Sequence, residues 1–277
     1  MHRIIALTER ALHLPKKKAM DLVFLSIYYL FVFWFVLSAE PGLIIGHLLY
    51  FIFPGLYLVV RYWRLNYHAF LFSITAGFLT GFPFQVMAEL NNVWDYHLPF
   101  FDFFQVAGLR MLPIAWYVIW IGFTISAYSV FFDKHLHQIP KNHRFWKIHY
   151  RFLLVSAAVL AGCMFLLLSY PNAFIMQHPY LIFGTLIFVL PSLAILYLHP
   201  HLLKDVAKAT IFFALFALVY ELIGLQVGWW TYPGQYVASL PIFGLAVPIE
   251  EVVLWILVGS LWVLVTYEEV EHDSTFA

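Results

Sequence analysis

Two adjacent carboxylates, Glu250 and Glu251, follow Pro248 inside an apolar run that extends from Leu240 to Val265. An ionisable residue within a membrane span is by default a candidate for function. Apolar surroundings favour the protonated form of a carboxyl group, so a proton can be held there at neutral pH. The pattern therefore predicts acid chemistry on a lipid-like substrate, with both catalytic candidates at about mid-membrane depth.

The spacing of the pair limits what it can reach. Adjacent residues on a helix are about 100° apart, so Glu250 and Glu251 meet one substrate atom only if the helix is kinked. Pro248, with Gly244 before it, could supply that kink. The alternative is structural: the pair hydrogen-bonds a neighbouring helix or lines a water cavity.

A third acid, Glu221, lies at modest depth near the outer end of an earlier span. It could meet the pair across adjacent antiparallel helices, and we assign it a proton-sharing or positioning role in catalysis. The alternative is a hydrated glutamate near the interface, capped by Trp229 and Trp230.

Polar residues also surround Trp94 at the outer end of the third span: Glu89, Asn91, Asn92 and Asp95. Such a cluster is either a second half of the active site or an interfacial loop with an aromatic anchor. We keep Glu89 and Trp94 as substrate-binding candidates.

The composition identifies the class of protein that must position these residues. Hydrophobic residues make up 63% of the chain, charged residues 11%, and the mean hydropathy is +0.84. These values are typical of an all-α polytopic membrane protein rather than a soluble domain. About eight runs are long enough to span a bilayer: residues 22–39, 42–60, 68–88, 107–132, 152–170, 179–198, 207–227 and 239–266.

The basic residues are strongly segregated between the predicted loops. The leader and every second loop contain fourteen of the fifteen lysines and arginines, and the remaining loops contain Arg110 alone. The positive-inside rule therefore predicts a multi-pass protein of the cell (inner) membrane with both termini in the cytoplasm.

Two segments resemble each other, one from Pro54 to Pro113 and one from Pro191 to Pro248. Each begins with a proline late in a span, crosses a short basic loop, and enters a span that ends in Glu-Leu. Each continues through a Trp-x-Tyr loop to a span containing Pro-Ile. The pattern predicts a tandem parallel repeat, with the substrate between the halves.

This duplication divides the chain into five segments: a basic or interfacial leader (1–20), the first repeat half (21–133), a basic cytoplasmic linker (134–151), the second half with the Pro-Ile-Glu-Glu motif (152–269) and an acidic tail (270–277). The leader is either an amphipathic interfacial helix or a mobile basic segment. We expect Glu268, Glu269 and Glu271 to be solvated.

Residues 207–269 resemble the lycopene cyclase domain family of integral-membrane carotenoid cyclases. The resemblance rests on the stretch ELIGLQVGWWTYPGQYVASLPIFGLAVPIEEVVLWIL, which contains a Gly-x-Trp-x-Tyr loop followed by Pro-x-Glu-Glu. The first half is similar in layout only, because Ala115 and Trp116 stand where that family has acidic residues.

The resemblance implies acid-catalysed ring closure of lycopene or a related linear isoprenoid, an isomerisation without net oxidation. A carboxyl group would protonate a terminal double bond, and aromatic faces would stabilise the carbocation. Candidate substrate-binding residues are those around the motif and its counterpart: Pro248, Trp229, Trp230, Tyr232, Trp255, Glu89, Trp94 and Trp116.

Other classes of site lack their signatures in the sequence. The histidine-rich stretch from His135 to His149 is interleaved with basic residues, which favours a loop that binds lipid headgroups over a metal site. No Gly-rich nucleotide fingerprint or Asp-rich diphosphate motif is present, so we expect no cofactor and no nucleic acid. The expected partners are a hydrophobic carotenoid and membrane lipid, with a homodimer or a heterodimer left open.

Three alternatives to a cyclase remain at this point. The first is another isoprenoid-modifying enzyme, such as a hydratase, because capture of the carbocation by water needs the same acid. The second is a non-catalytic protein that binds carotenoid or lipid, or a partner subunit of a cyclase. The third is a proton-coupled transporter, which parallel repeats and membrane acids would also suit.

Overall fold

The computed structural model describes four stretches of the chain: residues 15–96, 105–106, 108–133 and 143–272. The predicted interfacial helix of the leader lies largely outside these stretches. So do much of the basic linker and the end of the acidic tail.

Eight helical rods make up most of the described chain, which confirms the prediction of a mostly helical protein. Seven of them are long and apolar enough to cross a bilayer, which is typical of a multi-pass membrane protein. The other rod, α5, contains a shorter apolar stretch, Leu153–Ser169, at the place of the predicted fifth span. The rods are α1 (Lys16–Ala39), α2 (Leu43–Arg61), α3 (Trp63–Asn91), α4 (Ile114–Phe131), α5 (His143–Ser169), α6 (Pro179–Leu198), α7 (His201–Gln226) and α8 (residues 251–272).

Helices α2 and α6 each widen into a π-helical segment just before a proline. These segments are Leu48–Ile52, ahead of Pro54, and Thr185–Val189, ahead of Pro191. Proline lacks an N–H and its ring crowds the carbonyl four residues earlier, so a regular α-helix cannot continue through it unchanged. The wider turn accommodates the ring while the rod remains helical.

The altered backbone of α2 is hydrogen-bonded by α1. The hydroxyl groups of Tyr28 and Tyr29 donate to the carbonyls of Leu49 and Tyr50, each at 2.7 Å. Polar backbone groups at membrane depth need partners within the protein. The two tyrosines therefore satisfy the irregular part of α2 and fix α1 against it.

Close approach of α3 and α4 depends on Gly77 and Gly81. A Cβ atom on Gly77 would lie 2.6 Å from the Cα of Val118, and one on Gly81 would lie 3.0 Å from the Tyr117 ring. Small residues four apart let helix backbones pack closely in a membrane, where apolar burial alone does not drive association.

Three short antiparallel ladders lie between the helices. The strand formed by Asp95–Tyr96, β1, pairs with β4, formed by Trp230–Thr231, so the segments that follow α3 and α7 meet. Strands β2 and β3, and likewise β5 and β6, pair within single loops. The remaining strands are β2 (Gln105–Val106), β3 (Leu109–Arg110), β5 (Ser239–Ile242) and β6 (Leu245–Pro248).

The β5–β6 hairpin corrects the prediction of one apolar span over residues 239–266. Phe243 and Gly244, with φ of 49° and 82°, form the two-residue turn that joins strands of right-handed twist. Glu251 begins the π-helical segment Glu251–Gly259, which continues as the α-helix Ser260–His272. The glutamate pair therefore lies at the start of α8 rather than in the middle of a helix.

The helix kink considered for Pro248 does not occur, because this residue ends β6 before α8 begins. The predicted span 107–132 is likewise shorter, since α4 begins at Ile114 after β3. An apolar run of this length is compatible with strand and helix alike, so hydropathy did not distinguish them.

Glu268 differs from the expected solvated tail residue. It is buried, and the Tyr128 hydroxyl donates a hydrogen bond to its carboxyl group. Glu269, one residue later, is partly buried and lies 3.3 Å from the His199 ring nitrogen. The end of α8 is therefore packed within the bundle rather than free in solvent.

Candidate functional site

A cavity of about 50 Å³ lies between the two halves of the chain, with room for a few water molecules. Residues from α2, α4, α6, α7 and α8 and from the loops around β1 and β4 line it. Two carboxyl groups, one imidazole and a ring of aromatic side chains face one another there: Glu221, Glu251, His47, Trp94, Tyr96, Trp116, Tyr117, Tyr180, Trp230, Tyr232 and Trp255, together with Pro113.

Glu221 is held by two donors from the loop that follows its own helix. Its Oε1 atom accepts hydrogen bonds from Trp230 Nε1 and from the Tyr232 hydroxyl, both at 2.7 Å. Its side chain is only 6% exposed, so it is not the hydrated interfacial glutamate considered as an alternative. Trp230 can reach the Glu221 carboxyl group because of Gly224, which lies one turn after Glu221 in α7. Gly224 has no side chain, so it leaves room for the indole ring.

Glu251 is held from a different helix. Its Oε2 atom accepts a hydrogen bond of 2.6 Å from the hydroxyl of Tyr180, which lies in the first turn of α6. The Tyr232 oxygen, whose own proton is donated to Glu221, is also near enough to the Glu251 carboxyl group to accept a hydrogen bond from it when Glu251 is protonated. The carboxyl groups of Glu221 and Glu251 therefore share one phenol.

The phenols outside the helices remain neutral donors. Burial, with a smaller effect of the Glu221 carboxyl, raises the pKa of Tyr232 well above its usual value. Burial also raises the pKa of Tyr96, to which the nearby Glu251 and Glu221 contribute. A neutral phenol can donate one hydrogen bond and accept another at the same oxygen.

Tryptophans form one wall of the cavity. Trp255 packs against Trp116 and Trp120 with ring centroids 5.1 and 4.8 Å apart. Trp255 also meets Tyr117 edge to face at 5.1 Å. Indole faces attract positive charge, so this wall suits a cationic intermediate in a site without bulk water.

His47 lines the cavity in a fixed tautomer. Its Nδ1 lies 2.9 Å from the Leu43 carbonyl, which can only accept, so Nδ1 carries the proton in the neutral ring. Its Nε2 then accepts from the Tyr220 hydroxyl at 3.1 Å. The imidazole is thereby held against α7 beside the Trp116 ring, 6.3 Å away between centroids.

The structure brings seven of the predicted site residues together at the cavity: Glu221, Glu251, Trp94, Trp116, Trp230, Tyr232 and Trp255. Glu250 lies elsewhere, although it is only 2% exposed. Its Oε1 atom accepts the backbone N–H of Val237 at 2.6 Å, and its Oε2 atom has no partner among the described residues. Glu250 thus anchors the loop ahead of the β5–β6 hairpin.

Three other predicted residues are also absent from the cavity lining. Pro248 ends β6. Trp229 packs over Gly46 and donates its indole N–H to the Pro41 carbonyl at 2.8 Å. Glu89 pairs with Arg110 at 2.8 Å, which in turn reaches Asp95 at 3.3 Å.

Five lining residues were not among the predicted site residues: His47, Tyr96, Pro113, Tyr117 and Tyr180. His47 had a readable signal, because it is an ionisable residue within an apolar span. Tyr96 had been matched with Tyr232 only as a landmark of the duplication. Tyr117 and Tyr180 reach the cavity through tertiary packing, for which the sequence offers no local signal.

The arrangement provides a proton donor, a proton acceptor and aromatic faces in one enclosed space. Two donors on Glu221 stabilise its carboxylate form, whereas Glu251 accepts from Tyr180 at Oε2 and can hold a proton that it donates to the Tyr232 oxygen. That combination is suited to acid–base chemistry on a largely apolar molecule.

Comparisons of the chain with protein-family models, with curated proteins and with solved structures found no match.

Proposed function

We propose that this chain is a carotenoid cyclase, which closes an end ring on lycopene or a related linear isoprenoid by proton transfer within the membrane. The observation that carries the proposal is the meeting of Glu221 and Glu251, from different helices, in an aromatic cavity between the halves of the chain. The resemblance of residues 207–269 to the lycopene cyclase domain family adds the substrate class.

The reaction needs an acid and a base that act on different carbon atoms. Glu251 donates its proton to the terminal double bond, which leaves a tertiary carbocation. The π electrons of a nearby double bond of the same chain form the new carbon–carbon bond and move the positive charge into the ring. The Glu221 carboxylate then removes a neighbouring ring proton, and that electron pair becomes the ring double bond.

Product and substrate are isomers in this scheme, so no oxidant, reductant or cofactor is consumed. The tryptophan wall of Trp116 and Trp255 lies where it can stabilise the cation between the two proton transfers. Charge stabilisation of this kind is effective in a site without bulk water, because the aromatic faces are already oriented.

We also infer that the two halves are a tandem parallel repeat. The β1–β4 register supports this, because Asp95 opposes Thr231 and Tyr96 opposes Trp230, so the equivalent Trp-x-Tyr segments meet about a local two-fold axis. The π-helical segments that precede Pro54 and Pro191 are a second shared feature.

The test is pigment analysis in a lycopene-accumulating bacterial host. Expression of the chain should yield a product with the mass of lycopene and the shifted absorption of a cyclised end group. Glu251→Gln and Glu221→Gln should each lower product formation by about 100-fold or more, as expected for loss of a general acid or base. Glu250→Gln is the matched control: the amide oxygen can still accept from Val237, so activity should stay near that of the unchanged chain.

Other outcomes separate the alternatives. A product heavier by one water molecule would identify a hydratase, which a cavity with room for a few water molecules also suits. Unchanged lycopene with well-folded protein would contradict direct cyclisation, and would favour a carotenoid-binding, partner-dependent or proton-coupled transport role.

A further inference from the structure

The proposed reaction leaves the cavity in the wrong protonation state for a second turnover. Glu251 has lost its proton and Glu221 has gained one. Both side chains are buried, at 4% and 6% exposure, so reloading from bulk water requires a path into the bundle. An internal route from Glu221 back to Glu251 would remove that requirement.

The Tyr232 hydroxyl lies on such a route. It donates to Glu221 Oε1 at 2.7 Å, lines the same cavity as Glu251, and its oxygen contacts the Glu251 carboxyl group. A phenol oxygen can receive one proton while it releases another, so it can connect two carboxyl groups.

The other groups on these carboxyls do not connect them. Trp230 donates to Glu221, but an indole nitrogen has no lone pair with which to accept a proton. Within the described part of the chain, the Tyr180 hydroxyl donates to Glu251 and not to Glu221. Among the described hydrogen-bonding partners of the pair, Tyr232 is therefore the hydroxyl that touches both.

We propose that Tyr232 is a proton-return relay between Glu221 and Glu251. After ring closure, the protonated Glu221 transfers its proton to the Tyr232 oxygen as the Tyr232 hydroxyl proton passes to the Glu251 carboxylate. Two O–H bonds break and two form, and the phenol is unchanged at the end. The hydroxyl turns toward the Glu251 carboxylate before this transfer, and the proton that it receives from Glu221 leaves it donating to Glu221 again.

The relay rests on the proposed cyclase function and makes a distinct prediction about turnover number. Tyr232→Phe keeps the ring and removes the hydroxyl. With purified protein and an excess of lycopene, this variant should still complete a first turnover because Glu251 starts protonated, at a rate lowered by about tenfold through the loss of one donor to Glu221. Later turnovers should be at least about tenfold slower, which gives a burst of about one ring per protein.

Tyr180→Phe is the matched control. It removes a phenol that contacts Glu251 but leaves the connection between the two carboxyls intact. The first and later turnovers of this variant should change together, without a burst. A Tyr232→Phe variant that slows all turnovers equally, or that keeps the unchanged steady rate, would overturn the relay.

A measurement on the unchanged chain tests the relay even if Tyr232→Phe does not fold. After equilibration in D₂O, the first ring formed should gain deuterium from Glu251. Later rings should contain progressively less, because Glu251 is reloaded with hydrogen taken from earlier substrate. One deuterium per ring at every turnover would overturn internal return, while the absence of any cyclised product would overturn the proposed function itself.

Discussion

At the scale of single residues, two neighbouring glutamates have separate tasks. Glu250 and Glu251 point apart, as helical spacing requires, so one meets Val237 and the other meets Tyr180. The two glutamates are adjacent in the sequence motif, but their surroundings differ. Glu250 anchors the loop ahead of the hairpin, and Glu251 is an acid of the cavity.

The position of the Trp230 indole depends on one small neighbouring residue, Gly224. A Cβ atom on Gly224 would overlap the indole ring that donates to Glu221. We expect Gly224→Ala to displace Trp230 and to lower cyclisation by at least about tenfold, because a hydrogen bond to a charged group is lost. Pigment yield per folded protein measures the effect.

Gly162→Ala provides the control for that substitution. Gly162 lies in α5, and no atom of the described residues lies within 4 Å of the Cβ atom that alanine would add there. This variant should retain activity and gain up to about 1 kcal/mol of helix stability. If both alanine variants were equally active, the close packing of Trp230 would not matter for the site.

At the scale of elements, the docking of α1 depends on polar contacts near its first residues. Asp21 is buried and accepts hydrogen bonds from Arg61 at 2.6 Å and from Tyr57 at 2.8 Å, with Tyr62 as a third donor. Much of the opposite face of α1 is exposed, including Leu30 and Trp34, as expected of a helix that faces lipid. The Asp21 contacts therefore compensate for a small apolar interface.

Removal of this carboxylate should loosen the first helix. Asp21→Ala leaves two phenols and a guanidinium without their acceptor, so we expect a loss of about 1–3 kcal/mol, limited because water can reach Arg61. Unfolding of purified protein in mixed micelles measures the change in free energy.

Ser26→Ala on the same helix should change the free energy of unfolding by less than about 0.5 kcal/mol. Ser26 is exposed, and among the described residues its hydroxyl bonds to the Leu22 carbonyl of its own helix. Equal losses in the two variants would show that α1 does not depend on the Asp21 contacts.

At the scale of the whole molecule, the number of spans decides where the ends of the chain lie. Seven rods meet the length and apolarity of a span, and α5 contributes a shorter apolar stretch. Seven crossings would place the two ends on opposite sides of the membrane, whereas eight would place them on the same side. The segregation of basic residues favours eight.

We therefore expect reporters fused to the two ends of the chain to face the cytoplasm. A reporter that fluoresces only in the cytoplasm should be bright at both ends, while one that is active only outside should be silent at both. A cytoplasmic signal at one end alone would show that α5 does not cross the bilayer.

The amino-acid sequence by itself determined the class of fold and the position of most helices. Long apolar runs must satisfy their backbone within the membrane, so helices follow from composition and length. It also identified Glu221, Glu251 and the Trp-x-Tyr loops, because ionisable and aromatic residues are conspicuous in an apolar chain.

Only the tertiary structure decided which of these residues share a cavity. Tyr180 meets Glu251 across 71 positions of sequence, and β1 pairs with β4 across the two halves. The β5–β6 hairpin could not be read from hydropathy, because an apolar strand and an apolar helix bury similar residues. Contacts between distant segments depend on how the helices pack, and local patterns do not encode that packing.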